Sequence, residues 1–178
     1  MKLNKTWRIV IFLLLIVVNI GCDQITKSIV RENLKYNAHI QLVGNNFILT
    51  KVENTGAFLS LGSSLNPVIR DTLLLAFPAI IIIILFVWVL VKDKLRMDII
   101  IGLSFIIGGG IGNIVDRILY GSVTDFLHIN LGGIFKTGIF NMADASVMAG
   151  MFFLLISSYI HKEKSNTVTA EQSKNDSL

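Results

Sequence analysis

Three long stretches of this chain carry no charge: Thr72–Val91 for 20 residues, Ile99–Val115 for 17 and Ala145–Ile160 for 16. A helix needs roughly 20 apolar residues to cross about 30 Å of hydrocarbon. No water is available there for backbone amides and carbonyls, so such a run must close its hydrogen bonds on itself. Only 16% of the 178 residues are charged, where a soluble domain has about a quarter. The runs and their short links leave room for one compact membrane domain, residues 1–161, and for no second large one.

A fourth apolar stretch, Ile9–Cys22, follows Lys2, Lys5 and Arg8, which is how a secretory signal peptide begins. Asn19-Ile20-Gly21-Cys22 also has the outline of a lipid-attachment signal, with Asn19 where a leucine is usual. The helical pattern does not stop at Cys22, however. It continues through Asp23-Gln24-Ile25-Thr26-Lys27-Ser28-Ile29-Val30 without Gly or Pro, and Asp23 and Lys27, four apart, share a helix face. Cleavage at Cys22 would predict a polar mature chain, whereas three more apolar runs follow. The expectation is an uncleaved first span over about 9–30, with further spans over about 68–91, 98–116 and 141–160. A single cysteine excludes an intrachain disulfide framework.

Between the first two spans, Gly44-Asn45-Asn46 is a turn signal and Phe47–Val52 is β-branched and apolar enough for a strand. A short hairpin or small sheet on the membrane surface is expected within 31–66. Residues 117–138 form a second short polar segment. Pro78 is positioned to kink the second span. Basic residues crowd the amino terminus, the Lys92-Asp93-Lys94-Leu95-Arg96 loop and the carboxyl tail. That density places both termini in the cytoplasm and segments 31–66 and 117–138 outside, with 162–178 a disordered cytoplasmic tail. The net charge of +4 therefore reads as membrane topology, not as a nucleic-acid surface.

The third span ends Gly108-Gly109-Gly110-Ile111-Gly112-Asn113-Ile114-Val115-Asp116-Arg117. Glycines four apart read as a helix-packing seam. Asn113, Asp116 and Arg117 fall on one side of the helix, and Asp116 beside Arg117 reads as a structural ion pair. Asp125 has no adjacent cation and is either a solvated loop residue or a functional one. Asp144, in the first turn of the fourth span, either completes a capping pair with Asn141 or acts chemically, since carboxylates at membrane depth are costly and usually functional. By topology Asp125 and Asp144 lie on the same outer side. Two facing carboxylates can share one proton, one serving as base on a water while the other serves as acid. His39, His128 and His161 show no metal-binding HExxH spacing, and no G-x-S-x-G elbow is present. No metal and no cofactor are expected. A small transporter or channel using buried aspartates, or a scaffold held by the glycine seam, are the alternatives.

Five motifs in order sharpen this reading: Asp23-Gln24-Ile25-Thr26-Lys27, Asn54-Thr55-Gly56-Ala57-Phe58, Gly109–Arg117, Val123-Thr124-Asp125-Phe126 and Phe140-Asn141-Met142-Ala143-Asp144. Over about residues 8–161 the chain resembles lipoprotein signal peptidase, the signal peptidase II family. The resemblance implies an all-α polytopic membrane fold of four transmembrane helices with a small extracytoplasmic β-sheet. It implies an aspartic endopeptidase of the bacterial inner membrane that removes the signal peptide of a prolipoprotein before a cysteine carrying diacylglycerol. Its catalytic dyad matches Asp125 and Asp144. Asn54, Gly56, Asn113, Asp116, Arg117 and Asn141 match substrate-positioning or supporting positions, and Asp23 and Lys27 the first motif. The implied partners are prolipoprotein signal peptides and membrane lipid, with no nucleic acid, and the expected state is a monomer. The family's Asn-x-Gly-Ala-Ala-Phe-Ser loop reads Asn54-Thr55-Gly56-Ala57-Phe58-Leu59-Ser60 here.

Overall fold

The fold is known from a computed structural model that describes residues 4–44, 46–56, 66–132 and 136–175. Ala57–Ser60, where the sequence departs from the family loop, lies outside the described residues. Helix α1 spans Lys5–Asn33, and a hairpin of β1 (Ile40–Val43) and β2 (Phe47–Asn54) follows. Helix α2 (Pro67–Asp71) passes through a π turn at Thr72–Ala76 into α3 (Phe77–Val91). Then come α4 (Met97–Tyr120), β3 (Val123–Asn130), β4 (Lys136–Phe140) and α5 (Met142–Asn175). Among the described residues, four helical stretches are long and apolar enough to cross a membrane: Lys5–Asn33, Val68–Val91, Met97–Tyr120 and Met142–Lys162. The helical backbone of α5 continues to Asn175, past the expected end of the span near Ile160.

The first helix runs unbroken through Cys22, which lies exposed on its surface. The second span bends its hydrogen-bonding at Pro78. A proline cannot donate to the carbonyl one turn back, and its ring crowds that carbonyl. The preceding turn opens from α to π geometry, with the Phe77 amide donating to Thr72 O, which relieves that crowding. Helix α4 stops at Gly121, whose φ of 71° suits the left-handed cap that glycine adopts without a Cβ penalty.

Lipid tails are as apolar as leucine, so packing between spans depends on close approach more than on burying greasy surface. A cluster of Phe12, Ile16, Val89, Ile100, Leu103 and Ile107 joins α1, α3 and α4. Around it, Ile80, Ile83, Ile84, Phe152, Leu155 and Tyr159 face outward. The glycine seam does what its spacing suggests. A Cβ on Gly112 would stand 2.5 Å from Asp23 Oδ2, and one on Gly108 would stand 2.7 Å from the Asn19 Cβ. On Gly109 it would run into the Ala143 carbonyl of α5.

The sheet is larger than a hairpin. Its order is β1-β2-β3-β4, antiparallel throughout, and β2 pairs with β3 from Phe47↔Ile129 to Asn54↔Val123. Residues 117–138, expected only as a polar segment, therefore supply all of β3 and most of β4. At the opposite end of the bundle, Lys5 Nζ stands 2.5 Å from Asp93 Oδ1, and Arg8 donates to the backbone carbonyls of Lys92 and Asp93. The hydrogen bond and charge of Lys5 hold the Asp93 carboxyl below its usual range.

Candidate active site

The start of β3, the start of α5 and the carboxyl-terminal part of α4 meet where the sheet leaves the bundle. Two distinct polar groups occupy this junction.

The first lies between α1 and α4. Asp23, Lys27 and Asp116 are all 0% exposed. Lys27 Nζ is 2.8 Å from Asp23 Oδ2 and 3.2 Å from Asp116 Oδ2, and Arg31 Nη2 is 2.7 Å from Asp116 Oδ2. Gln24 Nε2 donates to Asp23, to Asp116 and to the Gly112 carbonyl, each at 3.1 Å. The Thr124 amide donates to Asp116 Oδ2 at 3.2 Å. Asp23 Oδ1 accepts the Ala143 amide at 2.8 Å, so a carboxylate of the first span caps the helix of the last. The pairing expected between Asp116 and Arg117 is corrected here. Neighbours in sequence project about 100° apart on a helix, so Asp116 faces α1 while Arg117 turns away. Arg117 donates to Gly56 O at 3.0 Å and to Asn113 O at 3.3 Å. Arg31, four residues after Lys27 and eight after Asp23, was legible as part of the same stripe, yet it reads from sequence as the start of the outer segment.

The second group holds Asp125 and Asp144. Asp125 sits within β3, not in a loop, and is 4% exposed. Its Oδ2 accepts from Asn54 Nδ2 at 2.9 Å and its Oδ1 from Asn141 Nδ2 at 2.7 Å. Asp144 Oδ1 accepts from Asn113 Nδ2 at 2.8 Å. Asn141 and Asp144 form the reciprocal capping pair as well: the Asp144 amide donates to Asn141 Oδ1 at 2.9 Å, and the Asn141 amide to Asp144 Oδ2 at 3.2 Å. The same two capping side chains also contact Asn113 and Asp125. Among the described residues neither Asp125 nor Asp144 forms an ion pair, in contrast to the first group.

Neutral amides contact both acids, and each amide is oriented by another donor. Asn54 Oδ1 accepts the Gly56 amide at 3.0 Å, which turns its Nδ2 to Asp125. Asn141 Oδ1 accepts the Asp144 amide, which likewise turns its Nδ2 to Asp125. Burial pushes the Asp125 carboxyl up to about 6; the Asn54 hydrogen bond opposes the rise and the nearby Asp144 charge adds to it. A carboxyl that holds its proton near neutrality beside a second carboxyl is suited to donating and receiving that proton. Beside Asp125 a cavity of about 280 Å³ is lined by Val52, Asn54, His128, Thr137, Gly138 and Ile139. Among the described residues no group of three or more His, Cys, Asp or Glu side chains could hold a metal ion.

Comparisons with known proteins agree with the five motifs. The family model for signal peptidase II matches residues 15–160. A lipoprotein signal peptidase of Borreliella afzelii is 35% identical over 147 residues, covering 80% of this chain and 85% of the relative. One of Chlorobium phaeobacteroides is 36% identical over 156 residues, covering 82% and 94%. One of Borrelia duttonii is 32% identical over 173 residues, covering 94% of this chain and 100% of the relative. Among solved structures, a bacterial membrane enzyme determined by the in meso method at 2.3 Å superposes with a TM-score of 0.74 at 27% identity, covering 87% of this chain and 90% of that one.

Proposed function

The chain belongs to the signal peptidase II family, aspartic peptidases that process prolipoproteins, and we propose that Asp125 and Asp144 are its catalytic pair. The observation that carries this reading is two neighbouring carboxylates, Asp125 buried and Asp144 half-buried, whose hydrogen bonds come from amides, one of them with its pKa lifted to about 6.

In this mechanism Asp144 acts as base on a water, which attacks the carbonyl carbon of the residue preceding the cysteine. Asp125 donates its proton as the tetrahedral intermediate collapses. The C–N bond breaks, the cysteine nitrogen leaves as the new amino terminus, and the signal peptide leaves with a new carboxyl group. Burial favours the neutral form at Asp125, so Asp125 takes the role of acid and Asp144, in the first turn of α5, that of base. Arg117, tied to Gly56 O, fastens the end of β2 to α4 and so keeps Asn54 in reach of Asp125.

The substrate's diacylglyceryl-cysteine stays in lipid while the cut site enters from the side of the bundle, and the cavity beside Asp125 receives the residues after the cysteine. The protein acts as a monomer, with both termini cytoplasmic and the sheet and aspartates at the outer face. The gathering of Lys5, Arg8, Lys92 and Arg96 at the end remote from the sheet supports this orientation. The test is cleavage of a diacylglyceryl-modified prolipoprotein by the purified protein, with unmodified substrate and Asp125→Asn as controls. Cleavage of both substrates at equal rates would remove the lipid requirement, and full activity of the variant would remove the dyad.

A further inference from the structure

The two polar groups described above are joined at one residue. Asn113 Oδ1 accepts from Lys27 Nζ at 2.9 Å and from Asn141 Nδ2 at 3.2 Å, while its Nδ2 donates to Asp144 Oδ1 at 2.8 Å. An ammonium group has three donors and no acceptor, and an amide has one end of each kind. With Lys27 on one side, Asn113 must present its oxygen there and an N–H to the far side. We infer that Lys27 is a positioning residue for the proteolytic pair: through Asn113 it aims and polarises the hydrogen bond that Asp144 receives. The inference rests on the assignment of Asp125 and Asp144 as the pair.

Several features of the geometry support it. Lys27 is 0% exposed, so its charge acts in a low-dielectric setting where a hydrogen bond strengthens the next one in the chain. Its position is fixed by Asp23 and Asp116. The contact reaches from the first span to the third across 86 positions of sequence and on to the fourth. If Lys27 served only to neutralise Asp23 and Asp116, its third donor would not need an asparagine whose other end holds an acid. Asn141 supplies a second, longer bond to the same oxygen, so loss of Lys27 should weaken the relay and not abolish it. The charged groups around Asp144 are Arg117 from α4, Asp125 from β3, and Lys27 and Asp23 from α1.

Removing Lys27 alone would leave two buried carboxylates facing one cation, so the test uses a charge-balanced background. Full-length Asp23→Asn, Asp23→Asn/Lys27→Met and Asp23→Asn/Lys27→Gln are purified in detergent and assayed on a diacylglyceryl-modified prolipoprotein across pH, alongside thermal unfolding. Relative to Asp23→Asn, the Met variant should lose about tenfold in kcat with KM within about twofold. The acid limb of its pH profile should move by about one pH unit, because the hydrogen bond that Asn113 gives the attacking carboxylate is no longer backed by the Lys27 ammonium. The Gln variant, which can still donate to Asn113, should recover much of the loss and show a smaller limb shift. Equal behaviour of the Met and Gln variants, or an unmoved limb in either, would overturn the proposal and leave Lys27 a structural ion. If the Met variant does not fold, the limb of the Gln variant decides alone. Activity in Asp125→Asn or Asp144→Asn would instead bring down the dyad itself, a separate and distinguishable failure.

Discussion

Two polar clusters lie side by side in this protein, one buried and one partly so, and they treat their carboxylates in opposite ways. Between α1 and α4, Asp23 and Asp116 are met by Lys27 and Arg31, two acids against two cations, with Gln24 and backbone amides closing the remaining bonds. Beside the sheet, Asp125 and Asp144 are met by the amides of Asn54, Asn113 and Asn141 and form no ion pair among the described residues. Full neutralisation fixes a charge and makes the cluster a clamp between helices. Neutral amides satisfy the geometry of a carboxylate without cancelling its charge, which is the arrangement the proposed proton transfer requires. The difference separates the proposed scaffold from the proposed catalytic pair more sharply than burial does, since Asp125 is buried much as Asp116 is.

The hardest test of that comparison is substitution within the amide-held pair. Asp125→Asn and Asp144→Asn should each reduce kcat by at least about a thousandfold. Thermal unfolding of the purified variants should show them folded. A residual rate within tenfold of the parent, in either, would mean that the pair is not a catalytic unit.

In the ion-held cluster the loss should fall on stability. Asp116→Asn leaves Lys27 and Arg31 with one acid between them, and breaking a buried pair in this way costs about 3 kcal/mol or more. The expected result is a lower unfolding temperature and a lower yield of inserted protein, with activity per folded molecule reduced far less than in the dyad variants. A dyad-like loss of kcat at unchanged stability would erase the distinction between the clusters.

The pH dependence of stability sharpens the same point. The folded Asp125 pKa of about 6 lies above its ordinary value of 3.8, so the native state binds more protons than the unfolded state between them. The sign follows: stability falls as pH rises from about 4 to about 6, by roughly 2–3 kcal/mol, and then levels off. Asp125→Asn should remove that slope and unfold at a higher temperature than the parent at pH 7. Parallel curves for the two proteins would show that Asp125 ionises freely in the fold.

Gly112→Ala probes the boundary of the ion-held cluster. Its Cβ would press on Asp23 Oδ2 at 2.5 Å, and overpacking of this kind costs about 1–3 kcal/mol. Unfolding in detergent would measure the cost, and an unchanged midpoint would mean that α1 and α4 are not held at the described separation. The smallest effect belongs to Cys22→Ser, outside both clusters on the exposed side of an unbroken α1. Intact mass should show the full-length chain and membrane retention should be unchanged; loss of the first 21 residues with added lipid mass would restore Asn19–Cys22 as a lipid-attachment signal.

The sequence by itself determined what is local in the chain. Uncharged runs of sufficient length specify spans, because lipid leaves the backbone no partner except its own helix. The four-residue period pairs Asp23 with Lys27, and the Asn141–Asp144 spacing makes a capping pair, both within about one helical turn. The ordered motifs named the family. Tertiary structure alone decided the long-range partners. It joined β2 to β3 across the two intervening spans, which brought Asn54 to Asp125 over 71 positions. It gave Asp116 to Lys27 and Arg31 instead of to its neighbour Arg117, and it hung Asp144 on Lys27 through Asn113. The reason is physical: the greasy faces that dominate this sequence are equally content against lipid or against another helix, so they say that a helix is in the membrane and not what it touches. Which faces meet is set by a few glycines that admit close approach and a few polar groups that must find partners, and those choices close only when all the helices and the sheet are in place.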